Sequence, residues 1–335
     1  MARETDRTAN QALGPEGHPQ KIMGRMAQFL NTSLVAAALV ALVVIFGVTA
    51  PSFFSSTNVP TIFDSVAVIA VLSVGQAFVI ITAGIDLSQG SVVALAGVIG
   101  ASIMAAHGVF VGAILMVVIG ALVGLFNGVL VAYTRVPAFI VTLGSLSMAA
   151  GAALLYTGGE PIYNLPSSLV NFGNGAFLYG LLPYIIIISI VAAIVGQIVL
   201  GRTRFGRSVY AIGSNRKAAL LSGVRVPRVT VLVYVISGFL SGLGALMLTA
   251  YVNTADPGAG TNFELDAIAA VVIGGGSLFG GQGSVWSAAL GALLLSVLAN
   301  GTQLLGVSSY AQTLILGIVV IGAVFIDSFR KRSAV

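Results

Sequence analysis

Few residues of this chain could carry out chemistry. Of its 335 residues, 57% are hydrophobic and only 7% are charged, and none is cysteine. The two histidines, His18 and His107, stand far apart, and there is no HExxH motif and no acidic cluster suited to magnesium. Three carboxylates, Asp64, Asp86 and Asp266, lie near the ends of apolar runs. They could carry protons across a membrane or cap helix N-termini, and the sequence leaves both roles open.

The sequence also lacks a nucleotide-binding loop of the form GxxxxGK[ST], so the chain cannot by itself hold ATP in the usual phosphate cradle. Without cysteine it has neither disulfides nor thiolate metal sites. We therefore expect no catalytic residue, no metal site and no cofactor bound by this chain. An intramembrane enzyme, such as a transferase, is disfavoured.

The elements that position these residues must be membrane-spanning helices. A mean hydropathy of +1.05 would leave apolar side chains in water if the chain were a soluble globule. Because a span needs about 20 apolar residues, the sequence predicts an all-α polytopic membrane protein with about ten spans. Apolar runs broken by turn residues place the spans near 30–50, 60–82, 90–106, 109–133, 138–157, 181–200, 229–251, 265–281, 284–305 and 309–327. The spans near 90–106 and 265–281 are short and glycine-rich, so each could instead be a broken or re-entrant helix.

The basic residues predict the orientation. They cluster before the first span, between residues 201 and 228, and after the last span, and Arg135 is the only other one. Because cytoplasmic loops retain Lys and Arg, we place all of these segments on the cytoplasmic side of the membrane. The predicted organisation is a disordered tail over 1–28, a membrane domain over 29–328 that includes the cytoplasmic loop, and a cytoplasmic C-terminus over 329–335.

The opposite side of the membrane is acidic. Its longer loops carry Glu160 in one and Asp256 and Glu264 in the other. The sequence pI near 9.7 therefore does not indicate nucleic-acid binding, because the positive charges are confined to the side that faces the cytoplasm.

Three polar side chains, Gln76, Asn127 and Asn300, are predicted within spans or at their ends. They could line a path for a polar solute or bond neighbouring helices to one another. The sequence leaves both alternatives open.

Glycine accounts for 42 residues, some of them four apart within predicted spans, at Gly120, Gly124 and Gly128 and at Gly238 and Gly242. Small residues let helices approach closely in lipid, which predicts tight packing of the bundle or, alternatively, a moving seam that lines a pore. The tetrapeptide Gln-Gly-Ser-Val occurs at 89–92 and again at 282–285, and it leaves an internal duplication open.

The central basic segment, 201–228, predicts a short cytoplasmic helix. Ser214 or Asn215 can cap its N-terminus, the residues from Arg216 onwards are good helix formers, and Gly223 can close it. Positive charge alone would require only that the segment stay in the cytoplasm, next to anionic lipid.

Several motifs in this sequence resemble one family. The segment Lys217-Ala218-Ala219, followed four residues later by Gly223, resembles the EAA-x3-G loop of ATP-binding-cassette (ABC) importer permeases, with Lys217 in place of the leading Glu and without the downstream I-x-LP. The chain also resembles the ribose/xylose/galactose-type sugar ABC permeases in TAGIDLSQGS (82–91), FIVTLG (139–144), YAIGSN (210–215), FELDAIAAVVIGG (263–275) and GGQG (280–283). These segments occur in the order found in that family, and the resemblance covers roughly residues 30–328.

The resemblance implies a fold and a set of partners. It implies a type II ABC importer-like permease that pairs as a homodimer or a heterodimer and receives sugar from a periplasmic binding protein. ATP and Mg would be bound by a cytoplasmic ATPase subunit. The short helix would contact that ATPase through Ser214, Asn215, Arg216, Lys217, Ala218, Ala219 and Gly223.

The predicted positions of polar and acidic residues in such a permease suggest further site residues. The candidates for the translocation path are Gln76, Asp86, Ser88, Asn127, Asp266 and Asn300, and those for docking of the binding protein are Glu160, Asp256 and Glu264. The competing interpretations are a permease for another small solute in a related ABC system and an ion-coupled secondary transporter with Asp86 or Asp266 as proton carrier. The sequence does not identify the sugar.

Overall fold

The structure, a computed structural model, describes residues 18–332, with side chains from residue 33 to residue 325 except residue 323. The helices are α1 (His18–Thr49), α2 (Asn58–Ile81), α3 (Gln89–His107), α4 (Val109–Tyr133), α5 (Ala138–Thr157), α6 (Ser167–Gly173), α7 (Ile185–Arg202), α8 (Arg204–Ser214), α9 (Arg216–Leu221), α10 (Val226–Val252), α11 (Phe263–Ile273), α12 (Val285–Leu304) and α13 (Ser309–Arg332). A small hairpin pairs β1 (Ala176–Phe177) with β2 (Leu182–Pro183) around a single 3-10 turn, Leu178–Gly180.

Seven of these helices, α2, α3, α4, α5, α7, α10 and α12, are long and apolar enough to cross a membrane. Shorter apolar stretches occupy Ser33–Thr49 of α1 and Ser309–Gly322 of α13. The all-α, multi-pass prediction is confirmed, but the count of ten spans is not. The span predicted over 265–281 is helical only up to Ile273, and α11, with 11 residues, is about 16 Å long against a hydrocarbon core of about 30 Å.

The first and last helices do not end at the domain boundaries that the sequence predicted. Helix α1 begins at His18, inside the segment predicted as a disordered tail over 1–28, and residues 1–17 lie outside the described residues. At the other end α13 continues to Arg332, beyond the predicted domain boundary at 328, and residues 333–335 again lie outside the described residues.

Helix α10 packs against α4 along the predicted glycine seam. A Cβ atom built on Gly120 or Gly124 would overlap the backbone of α10, and one built on Gly238 or Gly242 would overlap the backbone of α4. The pairs Gly120–Gly242 and Gly128–Val231 show that the helices run antiparallel. These glycines therefore provide close helix packing within one chain, which was one of the two predicted alternatives.

The antiparallel pairing defines two ends of the bundle. The end that carries α8, α9 and the start of α10 we call the basic end, and the opposite one, with residues 158–184 and 253–259, the acidic end. Because α4 runs against α10, Arg135 lies at the basic end, as the charge pattern predicts.

Helix α3 begins in the interior of the bundle. Helix α2 ends at Ile81, whose carbonyl oxygen accepts a hydrogen bond from the backbone N–H of Gly281 at the basic end. The Gln89 side chain, at the start of α3, donates to the carbonyl oxygen of Leu72, nine residues back along α2, at 3.1 Å. At 1.5 Å per residue, the non-helical segment 82–88 therefore returns about 13 Å into the bundle.

Helix α11 also begins in the interior and runs the other way. Beyond Val252 the chain turns back until Gly260 lies against Gly90, where a Cβ on Gly90 would overlap the Gly260 carbonyl oxygen. The carboxyl group of Glu264 accepts a hydrogen bond from the backbone N–H of Gly90. The N-termini of α3 and α11 thus meet inside the bundle, and the two helices extend to opposite ends.

Candidate functional site

The predicted cytoplasmic helix is α9, and its ends are capped as the sequence indicated. The Asn215 side-chain oxygen accepts from the backbone N–H of Ala218 at 3.0 Å, so Asn215 is the cap and Ser214 belongs to α8. Gly223 closes the helix with φ +83° and donates to the carbonyl oxygen of Leu220 at 3.0 Å. Such a left-handed residue is most easily a glycine.

The exposed side of α9 combines positive charge with apolar side chains. Arg216, Lys217 and Ala218 are exposed, and so are Leu220 and Leu221, at 61% and 89%. Ala219, in contrast, is only 4% exposed and packs against the bundle. A short helix that exposes two leucine side chains is suited to contact another protein. Leu220 and Leu221 were not among the residues singled out from the sequence, whereas Ala219 was.

Helix α8 holds α9 against the bundle. Thr203 caps α8 by accepting from the backbone N–H of Gly206 at 3.1 Å. Near the other end of the helix, the Tyr210 hydroxyl donates to the carbonyl oxygen of Gly283 at 2.8 Å. Burial raises the pKa of Tyr210, which keeps this hydroxyl protonated and able to donate. The tyrosine therefore ties α8 to the segment that precedes α12.

The interior contains a polar cluster centred on Asp86. Its carboxyl group accepts from the backbone N–H and the hydroxyl of Ser88, at 3.0 and 2.7 Å, and from the Ser237 hydroxyl at 2.7 Å. Asn127 donates to the Ser88 hydroxyl at 2.9 Å and accepts from Ser145. The cluster joins the re-entrant segment 82–88 to α4, α5 and α10 in the described conformation.

Of the candidates for the translocation path, Asp86, Ser88 and Asn127 thus come together. Gln76 is fully buried in α2, and neither atom of its amide group has a partner among the described residues. Asn300 forms two reciprocal hydrogen bonds with Asn58, at 2.9 and 2.8 Å, between α12 and α2, which is the helix-bonding alternative. Asp266 is half-buried in the first turn of α11.

The loops of the acidic end form one joined surface. Ile162 and Ala255 exchange two backbone hydrogen bonds, at 2.8 and 3.1 Å, which link the loop after α5 to the loop after α10. Glu160 and Asp256 are exposed at this end, as predicted. Glu264 is buried beside Gly90 instead, so it does not present its carboxylate to a partner at the surface. The sequence placed it wrongly because the loop returns into the bundle.

Two further observations limit the chemistry. Among the described residues no group of three His, Asp or Glu side chains could hold a metal ion. A groove of about 510 Å³ between α7 and α10, with Phe78 of α2 at its base, is lined by apolar side chains and Gly196. It offers a polyhydroxylated ligand no polar side chain to bind.

Sequence reasoning missed Ser237 and Gln89, which complete the cluster. Gln89 donates to the Ser237 hydroxyl at 3.0 Å, although 148 residues separate them. A serine within a glycine-rich span carries no local signal for such a role, whereas Gln89 stands inside the quoted segment 82–91.

Comparison with known proteins agrees with this architecture. The sequence model of the family described as branched-chain amino acid transport system permease components matches residues 58–324. The chain is 40% identical to the ribose import permease protein of Bacillus subtilis (strain 168), over 95% of this chain and 96% of that protein. It is 37% identical to the D-allose transport system permease protein of Escherichia coli (strain K12), over 88% and 90% of the two chains. It is 34% identical to the fructose import permease protein of Rhizobium meliloti, over 95% and 92%. The comparison with solved structures found no significant match.

The family match covers most of the chain, and the relatives align with it almost from end to end. The chain therefore belongs to this family of transport-system permease components and is a multi-pass inner-membrane protein.

Proposed function

We propose that this chain is the membrane-spanning permease subunit of an ATP-driven, binding-protein-dependent importer of a monosaccharide. The observation that carries the proposal is that permeases named for three different monosaccharides, ribose, allose and fructose, align over at least 88% of the chain. The chain itself is not an enzyme, because permease components move the solute while ATP is hydrolysed by another subunit.

Helix α9 is the proposed contact with the ATPase subunit. Its exposed leucines, Leu220 and Leu221, would enter a groove on that subunit, while Arg216 and Lys217 would meet its acidic groups. Asn215 and Gly223 shape the helix, and Ala219 anchors it to the bundle. The basic end then faces the cytoplasm, in agreement with the charge pattern.

The acidic end is the proposed docking surface for the periplasmic sugar-binding protein. Glu160 and Asp256 are exposed there on loops that are bonded to each other, so the surface can act as one platform. Carboxylates on such a rim attract basic groups of a partner and increase the association rate more than the affinity.

A second permease chain, identical or homologous, is proposed to pack against α5. Gly144 and Gly151 on this helix have no neighbouring atom within 4 Å of a built Cβ, and Ser147 between them is exposed. In lipid, such small residues favour the close approach of another helix. Asn127 and Ser145 lie directly behind this face, so the polar cluster would border a path between the two chains.

Reconstituted transport tests the function. Liposomes that contain this chain, its ATPase and its binding protein should accumulate radiolabelled D-ribose, D-allose or D-fructose only when ATP is present on the ATPase side. Accumulation of L-leucine instead would assign the chain to the solute class in the family description. Uptake by this chain alone, driven by a pH gradient, would establish the ion-coupled alternative and refute the proposal.

A pair of substitutions tests the role of α9. Leu220→Ser combined with Leu221→Ser should abolish co-purification of the ATPase subunit while the chain still inserts, because neither side chain supports the bundle. The matched control is Leu178→Ser at the acidic end, where Leu178 is 67% exposed, and the ATPase should remain bound. Normal ATPase binding by the double variant would show that α9 is not part of the interface.

A further inference from the structure

The backbone at the end of α8, directly before α9, contacts two non-helical segments at the basic end. One follows α2 and the other precedes α12. A Cβ atom built on Gly213 would overlap the carbonyl oxygen of Ile81 and the backbone nitrogen of Gly281. That nitrogen in turn donates to the Ile81 carbonyl oxygen at 2.9 Å. One glycine of α8 therefore contacts both the end of α2 and the loop that precedes α12.

Two more glycines complete the contact. Gly280 has φ +82°, and a Cβ built on it would lie 2.8 Å from the Cβ of Ala83 and 2.9 Å from the carbonyl oxygen of Gly213. Gly281 has φ +77°, and its Cβ would lie 2.6 Å from the Ser214 hydroxyl oxygen. We call Gly213, Gly280 and Gly281 the glycine junction. No gap wide enough for a methyl group separates the three backbones.

The segments that meet at the junction lead into the interior. Ala83 belongs to the re-entrant segment 82–88, whose Ile85 carbonyl oxygen accepts from the hydroxyls of Tyr234 and Thr142, at 3.3 and 3.2 Å. The next residue, Asp86, is the centre of the polar cluster. The loop that contains Gly280 follows α11, whose first turn holds Glu264 against the start of α3.

This arrangement has a mechanical consequence. A packed contact without free volume does not absorb displacement, so a shift of α8 moves the segments that touch it. The two segments are the irregular parts of otherwise helical elements, and changes in backbone torsion concentrate in a few loop or element-terminal residues. A displacement of α9 would therefore change the conformation of segment 82–88 before any whole span moved.

We infer that the glycine junction is the positioning element through which α9 sets the conformation of segment 82–88 and of the buried polar cluster. The inference rests on the proposed function, since it assigns the route by which ATPase movement opens the path. It adds that this route includes close backbone contacts of glycines, beside the hydrogen bond from the Tyr210 hydroxyl to the Gly283 carbonyl oxygen.

A cysteine pair tests the route in the assembled transporter. The chain has no native cysteine, so Ala83→Cys combined with Gly280→Cys introduces the only two thiols of this chain. The Cβ of Ala83 and a Cβ built on Gly280 lie 2.8 Å apart. Disulfide-bonded Cβ atoms lie about 3.5–4.5 Å apart, so the loop that carries Gly280 has to move back by about 1 Å for the bond to form. Oxidation should lower ATP-dependent sugar uptake by about tenfold or more, equivalent to about 1.4 kcal/mol in activation free energy, and reduction should restore it. The ATPase should stay bound throughout, because α9 is unchanged.

The outcomes separate this inference from the proposed function. If the unmodified transporter shows no ATP-dependent uptake, the proposed function fails, and the junction fails with it. If it transports and the oxidised pair transports equally well, the junction alone is refuted. Release of the ATPase on oxidation would also refute it, since the effect would then lie at the docking surface. Each single cysteine variant, treated with the same oxidant, shows how much uptake is lost through the substitution alone.

A second comparison does not depend on a disulfide. Gly213→Ala places a methyl group against the Ile81 carbonyl oxygen, whereas Gly201→Ala, at the same end of the bundle, meets only the Gln197 side chain at 3.4 Å. We expect Gly213→Ala to reduce uptake several-fold with the ATPase still bound, and to weaken the stimulation of ATP hydrolysis by the binding protein. Gly201→Ala should behave as the unmodified chain. Equal uptake by the two variants would refute the route.

Discussion

Ser237 should contribute far more to stability than a neighbouring serine of equal burial. Its hydroxyl donates to the Asp86 carboxyl group at 2.7 Å and accepts from Gln89 at 3.0 Å. A hydrogen bond within a protein contributes about 0.5–1.5 kcal/mol net, and a buried acceptor left without its donor costs about 1–3 kcal/mol. Ser237→Ala removes both and leaves a buried carboxyl oxygen without its donor. We therefore expect it to lower the free energy of unfolding by about 2–4 kcal/mol.

Ser241 provides the matched control for this prediction. It is one turn further along α10, it is also fully buried, and its hydroxyl donates only to the backbone carbonyl oxygen of Ser237, at 3.0 Å. That carbonyl is four residues back in the same helix, so Ser241→Ala should cost less than about 1 kcal/mol. The difference between the variants isolates the contacts with the re-entrant segment.

The measurement is equilibrium unfolding of the purified chain in mixed micelles, followed by circular dichroism and by the fluorescence of the single tryptophan, Trp286. Combining Ser237→Ala with Asp86→Asn completes a double-mutant cycle, in which we expect a coupling energy of at least about 1 kcal/mol. Equal destabilisation by Ser237→Ala and Ser241→Ala, or additive effects in the cycle, would refute the reasoning that this contact fixes segment 82–88.

Three further predictions concern other parts of the chain. Asn300→Leu alone should destabilise the chain by about 1–3 kcal/mol in the same unfolding assay, because it leaves the buried amide oxygen of Asn58 without its donor, and adding Asn58→Leu should recover part of the loss. Gly120→Leu should prevent α4 from packing on α10 and should greatly lower the yield of folded protein, whereas Gly144→Leu, on an open face, should not do so in the isolated chain. In this cysteine-free chain, Lys217→Cys should react with an impermeant maleimide only from the cytoplasmic side and Asp256→Cys only from the periplasmic side, and labelling of both from one side would refute the proposed orientation.

Much of the helical arrangement could be predicted because long apolar runs end at strong turn signals. The spans predicted at 109–133 and 138–157 coincide with α4 and α5, since Gly108 begins one and the Arg135–Pro137 turn separates the two. The cap at Asn215 and the stop at Gly223 were also predictable, because both depend on local chemistry.

The interior could not be predicted in the same way. Glu264 precedes an apolar run, as a surface residue at the start of a span would, but it is buried because the loop before it turns back into the bundle. The contact between Gln89 and Ser237 joins residues 148 positions apart, and neither has a local pattern that identifies its partner. How deeply a residue such as Glu264 is buried depends on how far its segment returns into the bundle. Contacts between distant parts of the chain determine that distance.

The geometry of Asp86 bears on the choice between an ATP-driven and an ion-coupled mechanism. A proton carrier needs a carboxyl group that can lose its partners and reach water on each side of the membrane in turn. Both oxygens of Asp86 are occupied, by two donors from Ser88 and one from Ser237, and the residue is 1% exposed. To bind and release protons, Asp86 would have to break these hydrogen bonds, and segment 82–88 would then lose its contact with Ser237 of α10. An Asp86 carboxyl group held in this way is better suited to fix segment 82–88 than to shuttle protons, which argues against Asp86 as the carrier in the ion-coupled alternative.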